Sequence, residues 1–170
     1  EASRYNISSK MHGPVQTSYR AEVRALLHAV QTAGTPICVF IDCQGVVNTV
    51  NNFIASGHQP PLRINEADLW ERIFEIIRVS PDDFYRFQWM PSHLDEASNI
   101  DKKKRALASG LVEEKDIAGN VGADKLAGEG ALMHPSNKGQ AQNARHRKDV
   151  IVLVQKMYLE IWSIFVGSAP

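Results

Sequence analysis

The spacing of hydrophobic positions changes several times along the chain, and each change predicts an element. Val23, Leu26, Leu27 and Val30 follow the i, i+3, i+4, i+7 rule, which predicts a helix opened by Ser18 as N-cap and stopped at Gly34. Pro36-Ile-Cys-Val-Phe-Ile41 is a continuous apolar run of strand length, as expected of a central strand covered on both faces. Val46, Val47, Val50, Phe53 and Ile54 form the stripe of a second helix, and Gly57 to Pro61 is a loop. Leu69, Trp70, Ile73, Phe74 and Ile77 mark a third helix, stopped at Ser80-Pro81. Phe84 to Met90 alternates aromatic and polar residues as a strand and closes on Pro91-Ser92-His93. Upstream, Arg4–Ser9 and Met11–Gln16 read as short extended segments broken by Gly13-Pro14. A β-rich start followed by helix, strand, helix, helix, strand, helix predicts an α/β layer fold with helices on a mixed sheet.

Downstream the pattern weakens. Residues 95–117 carry Lys102-Lys-Lys-Arg105 and Glu113-Glu-Lys-Asp116 and read as a polar, solvated helical insertion. Ser136 to Arg147 is polar and turn-rich. Ile151, Val154, Met157, Tyr158, Ile161, Trp162 and Phe165 recur at helical spacing in the most apolar stretch, Val150 to Val166. Lys156 and Glu160 interrupt that stretch, so an amphipathic helix docking on a core or partner is expected rather than a membrane span. The organisation expected is a main domain over 1–134 with its insertion at 95–117, a linker over 135–148, and a C-terminal helix over 149–170.

Composition narrows the partners. Formal net charge is zero, so a polyanion must be held by local patches or through metal, not by a global basic field. Cys38 and Cys43 alone make neither a disulfide framework nor a zinc pattern, which suggests a reducing, intracellular setting. No signal-peptide pattern opens the chain, and its strand-like beginning suggests a piece of something longer.

Candidate chemistry lies in three strings, Thr17-Ser-Tyr-Arg-Ala-Glu22, Ile41-Asp42 and Gly119-Asn-Val-Gly-Ala-Asp124. Each delivers a carboxylate at the end of an element, and three such carboxylates are what a divalent-metal site for phosphoryl transfer needs. Each also has a plainer explanation. Glu22 could complement a helix dipole, although it projects between Leu26 and Ala29 near the buried stripe. Asp42 could be an N-cap, or could stand where ligand clefts open at the carboxyl ends of strands. His93, on the loop after a strand, could move protons beside Asp42 if the two strands are neighbours, or could be a surface histidine. Asp124 shares a helix face with Asn120, Ala127 and Ala131, whose small side chains suggest close packing on the sheet; a solvated helix acid is the alternative.

Taken in order, Arg20-Ala-Glu22, Ile41-Asp42, Asn65-Glu-Ala-Asp-Leu-Trp70, Trp89-Met-Pro-Ser-His93 and Gly119-Asn-Val-Gly-Ala-Asp124-Lys-Leu-Ala resemble the type 1 ribonuclease H domain, especially that of retroelement reverse transcriptases. The resemblance spans about Gly13 to Met133. It implies a ribonuclease H-like three-layer fold with a mixed central sheet flanked by helices. It also implies hydrolysis of the RNA strand of RNA–DNA hybrids with two Mg²⁺ or Mn²⁺ ions. Glu22, Asp42 and Asp124 carry over as metal ligands and His93 as the mobile proton-handling residue. Thr17 and Asn65 match positions that contact a DNA phosphate; Ser18, Tyr19 and Asn120 are further nucleic-acid-binding candidates. An upstream reverse-transcriptase domain in the same polyprotein is the implied partner, and the alternative is a non-catalytic nucleic-acid-binding or structural domain of the same fold.

The departures from the family pattern are specific. Its first strand, with the first aspartate, has no counterpart in residues 1–21, so an N-terminally truncated domain of weak or no activity is expected. Val15 replaces a basic residue, Ser18-Tyr19 a polar pair that contacts the hybrid, and Cys43 the usual serine. The segment Phe53 to Arg63 has no basic protrusion, and the stretch between His93 and Asn120 is far longer than usual; its Lys102-Lys-Lys-Arg105 run could substitute as a phosphate-binding element or be a solvated face.

Overall fold

The computed structural model describes residues 6–11, 16–133 and 138–167, except for the side chains of 138–145, 161 and 163–167. Two compact units divide the chain, Glu1–Met133 and His134–Pro170. In the first, α1 (Ser18–Thr32), β1 (Ile37–Ile41), α2 (Gln44–Ala55), α3 (Ala67–Val79) and β2 (Tyr85–Trp89) follow the predicted order. A single 3-10 turn (Ala97–Asn99), α4 (Ile100–Ala108) and α5 (Glu114–Leu132) complete it. The architecture is mixed α/β, with a small parallel sheet.

β1 and β2 pair in parallel, with Ile37 opposite Tyr85 and Ile41 opposite Trp89. Parallel neighbours need a long crossover, and α2 and α3 supply it. The side chains of Val23, Leu26, Leu27 and Val30 bury the inner face of α1, which packs along α3, while α2 lies on both strands. Phe53, Trp70 and Ile73 are fully buried at the centre, each worth about 1.5–3 kcal/mol against exposure. Tyr85 Oη donates to Val30 O at 2.9 Å and joins β2 to the end of α1.

Several expectations are corrected. Thr17, not Ser18, caps α1, its hydroxyl accepting from Arg20 N at 3.1 Å. β1 is buried only at Ile41 and leaves Cys38 exposed, because a single strand pairs with it among the described residues. Among the described residues the sheet is the parallel pair β1–β2.

Part of the extended start falls on residues 1–5 and 12–15, outside the described ones. Residues 6–11 join no sheet. They lie instead on α5, where Ser8 Oγ donates to Leu126 O at 2.7 Å. Gly130 permits this approach, since a Cβ there would stand 2.7 Å from Ser9 O.

The insertion is not simply solvated. Met90, Leu94, Ala106, Val112 and Ile117 form a second small core, with Phe40, Leu107 and Leu111 at its edge. α4 ends in a Schellman turn: Gly110 N donates to Leu107 O and Leu111 N to Ala106 O, both at 3.1 Å. Gly110 takes the left-handed conformation this needs, at φ +69°. The chain thereby reverses and buries Val112 beside Met90 and Leu94.

α5 begins at Glu114, so Gly119 to Asp124 lies inside a helix rather than opening one. Its N-terminus is fixed where Glu113 N donates to Asp116 Oδ2 at 2.8 Å. The close packing expected of Ala127 and Ala131 is absent, as both are exposed and α5 buries only Ile117 and Gly130.

In the second unit, α6 (Lys138–Gly167) starts inside the expected linker, of which 135–137 lies outside the described residues. Gln140, Ala141, Gln142, Ala144, Arg145 and Arg147 are adequate helix formers, and their polarity does not break a helix. Val152, Leu153 and Leu159 are exposed alongside Ile151, Val154 and Tyr158, so apolar side chains surround α6 rather than forming one stripe. Among the described residues, no helix is long and apolar enough to cross a membrane.

Candidate active site

Strand register carries two of the predicted residues to one place. Because Ile41 lies opposite Trp89, Asp42 and the Met90–His93 segment leave the same end of the sheet. Met90 N extends the ladder by donating to Ile41 O at 3.0 Å, and Trp89 Nε1 donates to Asp42 O at 3.1 Å. Asp42 is not an N-cap: Cys43 occupies that position in α2, and the half-buried Asp42 precedes it. The plainer explanation for Asp42 is thereby removed.

His93 sits in the left-handed region at φ 56°, an uncommon conformation for a side-chain-bearing residue. Two main-chain constraints hold the turn. His93 O accepts from Asn99 Nδ2 at 2.9 Å and from Glu96 N at 3.3 Å. The imidazole itself is more than half exposed, with Nδ1 3.5 Å from Glu96 Oε1.

Glu22 projects from the inner side of α1 and is half-buried, as its position near Leu26 predicts. No hydrogen bond or ion pair meets its carboxylate among the described residues. Burial raises its pKa to about 6, with smaller contributions from the negative charges of Asp42 and Asp124. Asp124, although mostly exposed, is raised above the usual carboxylate range, first by partial burial and then by Asp42. His93 opposes that rise, and Asp95 adds to it. The carboxylates of Glu22, Asp42 and Asp124 therefore share one electrostatic neighbourhood, with His93 and Asp95 at its edge.

They do not converge to ligating distance. Among the described residues, no group of three or more His, Cys, Asp or Glu side chains stands close enough to hold a metal ion. The donor chemistry nonetheless suits a hard divalent cation, because carboxylate oxygens are the ligands such ions select. Glu22 in particular is a half-buried anion without a counter-charge, the condition that a bound cation would relieve.

The nucleic-acid candidates divide. Thr17, Tyr19 and Asn65 line one open pocket of about 610 Å³ with Arg20, Glu66, Ala67 and Asp68. Ser18 is exposed outside that lining, and Asn120 lies one helical turn before Asp124 on α5. Arg20 binds Glu66 through Nη1 and grips Asp68 with both terminal nitrogens, at 2.9 and 2.6 Å. These bonds hold the guanidinium further above its usual range and the Asp68 carboxyl below its own. One guanidinium against two carboxylates gives the pocket no net attraction for phosphate. Neutral donors are what it offers: the Thr17 and Tyr19 hydroxyls and the Asn65 amide.

Sequence reasoning passed over Asp95, Trp89 as the tie on Asp42, and Asn99 as the anchor of the His93 turn. For Asp95 a signal existed, since it follows His93 by two residues. Compared with protein-family models, with curated proteins and with solved structures, the chain matches none.

Proposed function

We propose that this chain is a ribonuclease H-type domain that hydrolyses the RNA strand of RNA–DNA hybrids with divalent metal. One observation carries the reading. A half-buried glutamate without a counter-charge shares its surroundings with two further carboxylates, delivered by three separate elements. Such an arrangement costs folding free energy and is retained where a cation or a reaction uses it. The order of the motif strings supports the same family, as do a parallel β1–β2 pair and a histidine loop beside Asp42. The finer fold proposed is the ribonuclease H-like three-layer arrangement, in a retroelement polyprotein with an upstream reverse-transcriptase domain.

Glu22, Asp42 and Asp124 would hold the metal, Mg²⁺ or Mn²⁺, two ions in a complete site. When bound, such ions lower the pKa of water and stabilise charge on the leaving oxygen. Trp89 fixes the Asp42 main chain through its indole N–H. His93, exposed on a constrained turn, is suited to hand a proton to the departing 3′ oxygen. Thr17, Tyr19 and Asn65 would contact the DNA strand through neutral hydrogen bonds. Sugar 2′-hydroxyls would distinguish RNA from DNA.

The spread of the carboxylates favours a second reading, a non-catalytic hybrid-binding domain of the same fold. Labelled RNA–DNA hybrid, duplex DNA and duplex RNA, incubated with the chain in Mg²⁺ or Mn²⁺, separate the two. Cleavage confined to the RNA strand of the hybrid, and abolished by Asp42→Asn, is expected of the enzyme. Hybrid binding without cleavage supports the second reading, and undiminished cleavage by Asp42→Asn excludes the assignment.

A further inference from the structure

α4 carries the run Lys102-Lys-Lys-Arg105, and its start is fastened to the loop that bears His93. Asn99, immediately before α4, donates to His93 O at 2.9 Å, and Lys102 Nζ donates to Ser92 O at 3.3 Å. On its inner side Ala106 is buried in the second core, with Lys102 and Lys103 half-buried. This leaves Lys104 and Arg105 on the exposed face.

The neighbouring acids do not neutralise these two. Glu114 pairs with Lys103 at 2.9 Å, Glu113 with Lys115 at 2.8 Å, and Asp116 caps the main chain at Glu113. Asp101 meets Arg105 only through its carbonyl, which accepts from Nε at 3.2 Å and leaves the charge intact. Lys104 makes no ion pair among the described residues. Against the one exposed carboxylate of Asp101, Lys104 and Arg105 leave this face net cationic next to the candidate active site, in a chain of zero net charge. A helix-dipole role accounts for Arg105 in the last turn but not for Lys104 before it.

We infer that the exposed face of α4 is a phosphate-backbone contact that holds a nucleic acid at the carboxylate cluster, with Lys104 and Arg105 as its main cations. This rests on the hybrid-directed reading of the cluster and extends it to the insertion. The pocket at Thr17 and Asn65 lacks net positive charge, so α4 supplies the long-range attraction which that pocket cannot. Cations on a polyanion act by displacing counterions, so their contribution depends steeply on salt and little on base sequence. The second small core makes the face rigid, because α4 cannot swing without exposing Ala106, Val112 and Ile117.

The test compares the 170-residue chain with Lys104→Glu/Arg105→Glu and with a control reversal at exposed Arg72 on α3. Fluorescence anisotropy with a labelled RNA–DNA hybrid is recorded across a salt series in EDTA, with matched single-stranded RNA and duplex DNA alongside. The α4 variant is expected to lose about tenfold or more in affinity at low salt and to reduce the log–log salt slope by about 1.5, with Arg72→Glu near wild type. Equal affinity and slope in the wild type and the α4 variant would overturn the α4 contact while leaving the hybrid reading standing. An equal loss in the Arg72 control would also overturn it, as a global charge effect. Binding that depends on α4 but shows no preference for the hybrid upholds the contact and counts against the hybrid reading. Absence of binding to any of the three nucleic acids overturns both. Circular dichroism confirms that each variant is folded.

Discussion

The indole N–H of Trp89 donates to the main-chain carbonyl of Asp42 across the ends of two parallel strands, at 3.1 Å. This bond fixes the peptide on which the Asp42 carboxylate stands, and it belongs to the same turn of chain that leads to His93. Trp89→Phe keeps an aromatic ring but removes the donor. Stability is expected to fall by about 1 kcal/mol, the usual net worth of one hydrogen bond. Mn²⁺ affinity should weaken by about tenfold, as when a group that orients a metal ligand is lost. Urea unfolding and Mn²⁺ titration check the two effects separately.

Glu22 sets a pH dependence with a definite sign. Its pKa rises from 4.5 to about 6 on folding, so the native state binds the proton more tightly than the unfolded chain. Without divalent metal, this group's contribution to stability is fully present below the unfolded pKa and is lost as pH climbs through about 6. Glu22→Gln should flatten that part of the profile. Discounted for the group's residual exposure, it should stabilise the metal-free protein at pH 7 by about 1 kcal/mol. Thermal unfolding in EDTA between pH 4 and 8 measures this, and a wild-type curve unaffected by the substitution would contradict it.

The elements were legible because their cores are written locally. Val23 to Val30 and Leu69 to Ile77 repeat at helical spacing, and Ile37 to Ile41 is a strand in any environment that buries one end. Asp42, His93 and Glu22 were also legible as candidates, since each stands at a position defined by a neighbouring element. What the sequence hid is long-range. Nothing in the string 95–117 shows that Val112 folds back under Met90, because burial there depends on the Gly110 turn. The packing around Asp124 was misread for a related reason. The small residues around it resemble a packed face, but small side chains also occur on helices that bury little, and α5 is one of them. The Arg20 clamp on Glu66 and Asp68 joins two helices more than forty residues apart, which no local period encodes.

Gly130 tests the placement of the N-terminal segment on α5. In an isolated helix, Gly→Ala stabilises by about 1 kcal/mol. Here the added Cβ would stand 2.7 Å from Ser9 O, so the segment must shift away. Gly130→Ala is therefore expected to destabilise, by about 1–3 kcal/mol, and to increase hydrogen exchange at residues 6–11. A stabilised variant would show that this segment does not lie on α5.

Ile117 joins α5 to the second core beneath the His93 loop. Ile117→Ala should cost about 2–4 kcal/mol. The protection of Leu94 and Ala106 against hydrogen exchange should fall more than that of Ile73 in the main core. Uniform loss across both cores would mean that the insertion folds as one unit with the rest.

The carboxylate cluster is tested most directly by Mn²⁺ binding, followed by electron paramagnetic resonance on the full chain and on Asp42→Asn. The expected result is saturable binding that strengthens between pH 5 and 7, as Glu22 loses its proton, and weakens by about tenfold or more in Asp42→Asn. Equal binding by the two proteins, or none by either, would contradict a metal site built from Glu22, Asp42 and Asp124.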